Sequence, residues 1–305
     1  MSLIILSHPS CAQHDMGPAH PECPERLSAI NDQLIASGLD FVVPARDALP
    51  IHRDYVCLAH DPTYVDDLLA RDLSQGPVWL DDDTQLMAHT RDAALHAAGA
   101  ATQAVDLIMQ GEATRVFCAV RPPGHHACHN KAMGFCFFNN IAIAARYAIE
   151  HYGLTRVAIV DFDVHHGNGT EDIVAGDERI QFYSSFQHPF YPFSGADATE
   201  PNLHFMPLTA GTGGKEWQTK VKQQWLPHLE QWQPELILIS AGFDAHVEDD
   251  MSGIAFNEAD YSWITQQLKA IADKACNGHI ISLLEGGYAL GALGRSVVAH
   301  LKALQ

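Results

Sequence analysis

The sequence predicts an α/β protein built on a parallel sheet with helices on both faces. Two observations carry this. Short apolar runs recur between helical patterns, and the clusters of polar residues fall in the segments that follow those runs. In open sheets of this kind, ligands bind outside the carboxyl ends of the strands. The strand-type runs are 3–6, 115–120, 156–161, 180–184, 236–240 and 279–284, and helical patterns cover roughly 24–38, 89–110, 139–152, 213–232, 257–277 and 289–304. Segment 89–110 places Ala93, Ala97, Ala100, Ala101 and Ala104 where a sheet can approach closely. Loops 121–138, 161–170, 185–202, 241–256 and 285–289 carry the unusual residues. No Pro/Gly/Ser linker or repeat divides the chain, so residues 1–305 are expected to form one domain.

With 47% hydrophobic and 18% charged residues, the chain can bury a sizeable core and is not expected to be disordered. It has 37 acids against 18 Lys and Arg, a formal charge of −19. That balance repels polyanions, so nucleic acid is not an expected partner. It would attract cations, and it equally serves solubility. No apolar run approaches the roughly 20 residues of a membrane span, and run 3–6 is too short for a signal-peptide core. The 7 cysteines are scattered without a C-x-x-C pair, which fits a reducing cytoplasm.

The segment Asp161-Phe162-Asp163-Val164-His165-His166-Gly167-Asn168 ends an apolar run with alternating acids and a histidine. Period-two spacing on a strand sends Asp161, Asp163 and His165 to one side, which suggests a metal site at the edge of a parallel sheet. Zinc accepts carboxylate oxygen and imidazole nitrogen, and a catalytic site keeps one position open for water. Asp163 and His165 supply two ligands. Asp244, in Ala241-Gly242-Phe243-Asp244-Ala245-His246 after another apolar run, offers a third. An aspartate at such a place is also a common turn or cap residue.

Arg121-Pro122-Pro123-Gly124-His125-His126 presents adjacent histidines on a stiff loop. With three ligand candidates already in hand, the pair reads as proton-transfer groups. Asp161 and Asn168 remain to orient them. Tyr288, after Glu285-Gly286-Gly287, offers a phenol to a developing oxyanion. The alternative is a core tyrosine after a turn. Of the aromatics in 134–140, Phe135 follows a glycine and is the one expected to wall a channel. Arg26 opens a helix after Pro24 and Glu25 and reads equally as a surface residue.

Together the stretches HPECPER (20–26), RPPGHH (121–126), GFCFFNN (134–140), VDFDVHHGNGT (160–170), AGFDAH (241–246) and EGGY (285–288) resemble the histone deacetylase family, in its class II and bacterial amidohydrolase-like branch, with acetylpolyamine amidohydrolases among its relatives. The resemblance implies the arginase/deacetylase fold, a three-layer α/β/α sandwich with a parallel sheet of about eight strands. It implies one catalytic zinc (or Fe²⁺) on Asp163, His165 and Asp244. It implies tandem histidines, with His125 backed by Asp161 and His126 by Asn168, and Tyr288 polarising the acetyl carbonyl. Gly134 and Phe135, with Tyr191 and Met251, would line an acyl-lysine channel. Arg26 would lie beneath the site near an acetate exit. A structural K⁺ or Na⁺ would match Asp161, Asp163, His165, Ser184 and Ser185. Asn168 replaces the aspartate of class I members and should leave His126 easier to deprotonate.

The implied activity is hydrolysis of N-acetyl groups from acetyl-lysine peptides or acetylated small amines. One rival is an arginase-like binuclear manganese hydrolase, disfavoured because Gly167 and His246 stand where further carboxylates would be needed. A catalytically silent acetyl-lysine-binding protein is another, disfavoured because every reacting group is retained. Asp81, Asp82, Asp83, Glu248, Asp249 and Asp250 are candidate rim acids, or ordinary solvated loops. Self-association is left open.

Overall fold

The computed structural model describes residues 2–196 and 200–305. Its strands are β1 (Leu3–Ser7), β2 (Ala45–Asp47), β3 (Val78–Trp79), β4 (Gln85–Leu86), β5 (Arg115–Cys118), β6 (Val157–Asp161), β7 (Ile180–Gln187), β8 (Leu203–Leu208), β9 (Leu236–Ala241) and β10 (Ile280–Leu284). Eight of them form one sheet in the order β2-β1-β5-β10-β9-β6-β7-β8, while β3 and β4 pair apart as a small antiparallel hairpin. Every neighbour in the large sheet is parallel.

Alternation along the strands feeds two cores. In β6, Val157 and Ile159 pack on the face covered by helices Thr90–Met109 and Asn140–Tyr152. Ala158 and Val160 face helices Glu25–Ser37, Glu258–Ala275 and Leu290–Leu304. The result is the three-layer α/β/α sandwich of the arginase/deacetylase fold, with the expected eight strands. In helix Thr90–Met109, Ala93, Ala97, Ala100, Ala101 and Ala104 are wholly buried, and such small side chains let the helix approach the sheet closely.

Register sets the site. Asp161 lies opposite Ser240 on one neighbour and Ser184 on the other. The polar ends of the central strands therefore stand side by side at one edge.

Several elements differ from expectation. Strands β2 and β8 were not anticipated. The residues of β2 are all exposed and give no apolar signal, and β8 mixes exposed Pro207 with buried Leu203, Met206 and Leu208. Stretch 213–232 divides into Gly214–Gln224 and Leu226–Trp232, because Pro227 lacks the N–H a continuous helix needs. Helix Pro62–Ala70, capped by Asp61 accepting from the amides of Thr63 and Tyr64, was also missed. β7 runs on to Gln187, shortening the expected loop 185–202, of which residues 197–199 lie outside the described residues. Among the described residues no helix is long and apolar enough to cross a membrane.

Candidate metal centre and active site

Only Asp161 of the three alternating ligand-type residues lies in β6; the chain beyond it curls. Asp161 Oδ1 accepts from the Asp163 amide (3.0 Å), and Asp163 Oδ1 accepts from the His165 amide (2.9 Å). These are successive Asx turns, in which each carboxylate caps the amide two residues on. The expectation of three same-side residues on a strand is therefore corrected. Asp163 and His165 turn toward Asp244, whereas Asp161 turns toward His125.

The ligand atoms of Asp163, His165 and Asp244 all lie within 4.8 Å of one another, and all three residues are buried. His165 Nδ1 sits 3.1 Å from Asp163 Oδ1 and 3.2 Å from Asp244 Oδ2. Asp244 Oδ2 nevertheless receives no hydrogen bond of acceptable geometry. Burial, followed by repulsion from Asp163, pushes its carboxyl up to about 7. Two facing carboxylates away from water are costly unless a cation neutralises them. The loop after β10 approaches closely enough for the Gly286 amide to donate to Asp163 Oδ2 (2.8 Å). A Cβ on Gly286 would lie 2.1 Å from Asp244 Oδ2, so the cradle admits only glycine there. An orphaned buried oxygen and two carboxylates with one imidazole fit a divalent ion such as zinc.

Beside this centre, His125 Nδ1 is 2.9 Å from Asp161 Oδ2, and His126 Nδ1 is 2.7 Å from Asn168 Oδ1. The two rings are 4.1 Å apart. Burial opposes charge on His125, but Asp163, Asp161 and Glu285 outweigh it and hold the ring well above the usual imidazole range. For His126, burial is reinforced by His125 and His165, and the ring is held well below that range. Environments that push two neighbouring groups apart mark acid–base pairs.

Two buried carboxylates tie the loops together. Glu285 Oε2 accepts from the amides of Gly124 (2.7 Å) and His125 (3.1 Å). Asp249 Oδ2 accepts from the amides of Tyr288 (2.6 Å) and Ala289 (2.9 Å), and its Oδ1 from that of Met251 (3.0 Å). The Tyr288 phenol is held well above its usual pKa, first by burial, so it stays protonated.

Arg26 is wholly buried, not a surface residue. It donates to the carbonyls of Gly287 (2.7 Å) and Glu285 (2.5 Å) and to Glu22 Oε1 (3.0 Å), with its guanidinium 5.0 Å from the centre of the Tyr288 ring. Glu22 is bound also by Arg121. Burial alone would raise the Glu22 carboxyl, but Arg121, His14 and Arg26 pull it down to about 2.

A cavity of about 140 Å³ opens onto both histidines, His165 and Tyr288. Gly134, Phe135, Tyr191 and Met251 all line it, together with Pro123, Phe190, Gly286 and Asp83. Compared with models of known families, residues 20–304 match the histone deacetylase domain. The chain belongs to the histone deacetylase family. It is 40% identical over 300 residues to an uncharacterized protein of Synechocystis, covering 96% of each chain. It is 36% identical to the type-2 histone deacetylase 2 of Dictyostelium discoideum, covering 99% of this chain but only 20% of that longer protein. Among solved structures, the HDA15 HD domain matches with a TM-score of 0.93 and 31% identity, covering 99% of this chain and 88% of that one.

Within this family frame, several residues were not anticipated. Phe190 stacks on the His165 ring (5.6 Å), and its only sequence signal is its place beside Tyr191. Glu285 stands out in the sequence only as part of EGGY, and Glu22 only as part of HPECPER. The rim acids separate. Asp83 lines the cavity, Asp81 pairs with Lys131 (3.0 Å) and Glu248 with Arg295 (2.6 Å). Asp82 and Asp250 are exposed. Asp249, at 5% exposure, is no rim residue. Ser184 and Ser185 also diverge. Ser184 Oγ lies 3.2 Å from His166 Nδ1, while the Ser185 hydroxyl accepts from Trp217 Nε1 (3.1 Å) on the opposite face. His246 turns toward Glu258 (3.5 Å), and a Cβ at Gly167 would lie 2.5 Å from Asp161 Oδ2. Among the described residues, neither position joins the ligand cluster of Asp163, His165 and Asp244.

Proposed function

We propose that the chain is a zinc-dependent deacetylase, releasing acetate and a free amine from acetyl-lysine or acetylated small amines. The observation that carries this is the convergence of a three-ligand centre with His125 and His126, each paired at Nδ1 with its own partner, in one narrow cavity that Tyr288 also lines. Asp163, His165 and Asp244 would hold the ion, which when bound polarises the acetyl oxygen and lowers the pKa of a water toward ~7. His126, kept neutral, takes the water's proton at the ring nitrogen not engaged by Asn168. His125, oriented by Asp161 at its Nδ1, stabilises the negative charge that develops. Tyr288 donates its phenolic hydrogen to the tetrahedral oxyanion, and His126 returns its proton to the leaving amine. Phe135, Phe190, Tyr191 and Met251 sleeve the alkyl chain and exclude water. Arg26 sits beneath Tyr288 on the side where acetate would leave. Asp161, the main-chain oxygens of Asp163, His165 and Ser185, and Ser184 would hold the monovalent cation, K⁺ or Na⁺.

The test is turnover of a fluorogenic acetyl-lysine peptide, compared with acetylated putrescine and cadaverine, by zinc-loaded protein. Tyr288→Phe and His126→Ala should each abolish most of kcat. Activity surviving both changes refutes these roles, and binding without turnover favours the silent-reader alternative. Two tightly bound transition metals per chain would overturn the single-metal reading.

A further inference from the structure

We propose that Cys128 and Met133 are positioning residues that fix the tautomer of His126 through the side-chain amide of Asn168. The inference rests on the reading of His126 as the base and specifies what makes it one. Asn168 Oδ1 faces His126 Nδ1 at 2.7 Å. At the other end of the amide, Nδ2 lies 3.5 Å from Cys128 Sγ and 3.4 Å from Met133 Sδ.

An asparagine amide has nearly the same shape either way round, so its orientation is decided by what surrounds it. A thioether sulfur only accepts. The Cys128 thiol directs its hydrogen at the His126 carbonyl (3.6 Å), which leaves its sulfur lone pairs for Asn168. Two acceptors on one side therefore call the NH₂ to that side and turn the oxygen to His126. An accepting oxygen requires hydrogen on Nδ1, so Nε2 keeps its lone pair and can take a proton. The reverse orientation would set NH₂ against Nδ1 and move the ring hydrogen to Nε2. A neutral ring in that form cannot act as the base at that nitrogen. A carboxylate at 168 would raise no such question, since both its oxygens accept. The sulfur pair supplies by chemistry what a carboxylate has by symmetry.

The fold brings the sulfurs there by two tight turns. Met133 and Cys136 exchange backbone hydrogen bonds (3.2 and 3.0 Å) across Gly134 and Phe135, whose φ values are +57° and +68°. Cys128 and Lys131 pair likewise (2.9 and 3.5 Å). A Cβ on Gly134 would lie 2.4 Å from His126 Cδ2, so the first turn is seated directly on the base. The turn that puts Phe135 in the cavity wall thus also carries the Met133 sulfur to Asn168.

The test uses full-length zinc-loaded protein labelled with ¹⁵N-histidine, whose long-range ring correlations tell a protonated Nδ1 from a protonated Nε2. In the wild type, neutral His126 should carry its hydrogen on Nδ1. In the Met133→Leu, Cys128→Ala double variant a fraction should carry it on Nε2. On the acetyl-lysine peptide kcat should fall about two- to tenfold, in proportion to the rings left in the wrong form, with KM little changed. Against an Asn168→Asp background the same two changes should alter neither tautomer nor kcat. Met133→Leu conserves volume and carries the test alone if the double variant does not fold. A hydrogen remaining wholly on Nδ1 without the sulfurs, or residing on Nε2 in the wild type, overturns the proposal. Failure of the deacetylase reading would look different: no turnover of any acetyl amide, with the tautomer still responding to the sulfurs.

Discussion

Replacing Asp249 by asparagine should separate the support of Tyr288 from the binding of metal. The carboxylate accepts three backbone N–H groups on two oxygens. An amide has one oxygen, so every orientation of the replacement side chain sets its NH₂ against at least one of those donors. The least costly choice keeps Tyr288 and Ala289 and loses Met251. That removes one charge-assisted bond of about 1.5–3 kcal/mol and turns two others into neutral bonds of about 0.5–1.5 kcal/mol, for a total of about 3.5–6 kcal/mol. The group is buried, so solvent does not soften the loss. At about 2.1 cal/mol/K of unfolding entropy per residue, a chain of this length should lose about 5–9 °C in Tm. The bond to the Tyr288 amide would survive only as a neutral one, so Tyr288 would be held less firmly, and misplacement on the order of 1 Å costs about a hundredfold in rate. We expect kcat on an acetyl-lysine peptide to fall about ten- to a hundredfold, with zinc content unchanged because Asp249 is no ligand. Thermal unfolding, steady-state kinetics and metal analysis on one preparation check all three. A kcat within about twofold of wild type, with Tm unmoved, would refute the reasoning.

Three further outcomes follow from the site and its surroundings. Gly286→Ala places a methyl against both carboxylates of the metal centre, so the variant should fold yet retain little zinc, as metal analysis and circular dichroism would reveal. Asn168→Asp should move the acidic limb of kcat/KM to higher pH. A carboxylate favours protonated His126, and the base works only when neutral; an unmoved limb would contradict this. Burial pushes His60 down to about 4 and His300 down to about 3. Their contribution is therefore present above pH ~6.5 and is lost as pH falls toward 4, at ~3 kcal/mol apiece. The urea midpoint should drop between pH 7 and pH 4.5, and drop less in His60→Gln; a flat midpoint would speak against buried neutral rings.

The residues that carry chemistry were legible because their types are rare in such company. Asp163, His165, Asp244, the paired histidines and Tyr288 all stand within four residues of a glycine, beyond the ends of apolar runs. The manner of their convergence was not legible. Period-two reasoning assumed that β6 continues, and it has no term for a carboxylate that captures the amide two residues on. Asp249 and Glu285 escaped for another reason. Apart from the Met251 amide, the groups they hold are far away in the chain, and nothing at positions 249 or 285 distinguishes a solvated acid from a buried one. Strands β2 and β8 lie at the sheet's edges, where burial is one-sided or absent and the apolar pattern fades. Ser184 and Ser185 show the converse. The pair was recognised, but adjacent residues of one strand project oppositely, and only the neighbouring strand and Trp217 reveal which side faces Asp161.

The sheet order also bears on how the protein assembles. Asp163 and His165 follow β6, Asp244 follows β9, and Gly286, whose amide secures Asp163, follows β10, so no short stretch of chain contains a metal site. Pairing strands so distant in sequence is slow, because the loop between them must close before any contact rewards it. A metal ion added to the unfolded chain would find only scattered ligands. Capture of zinc should therefore be among the last events of refolding, arriving with the central strands already in register, and the ion should slow unfolding far more than it hastens folding.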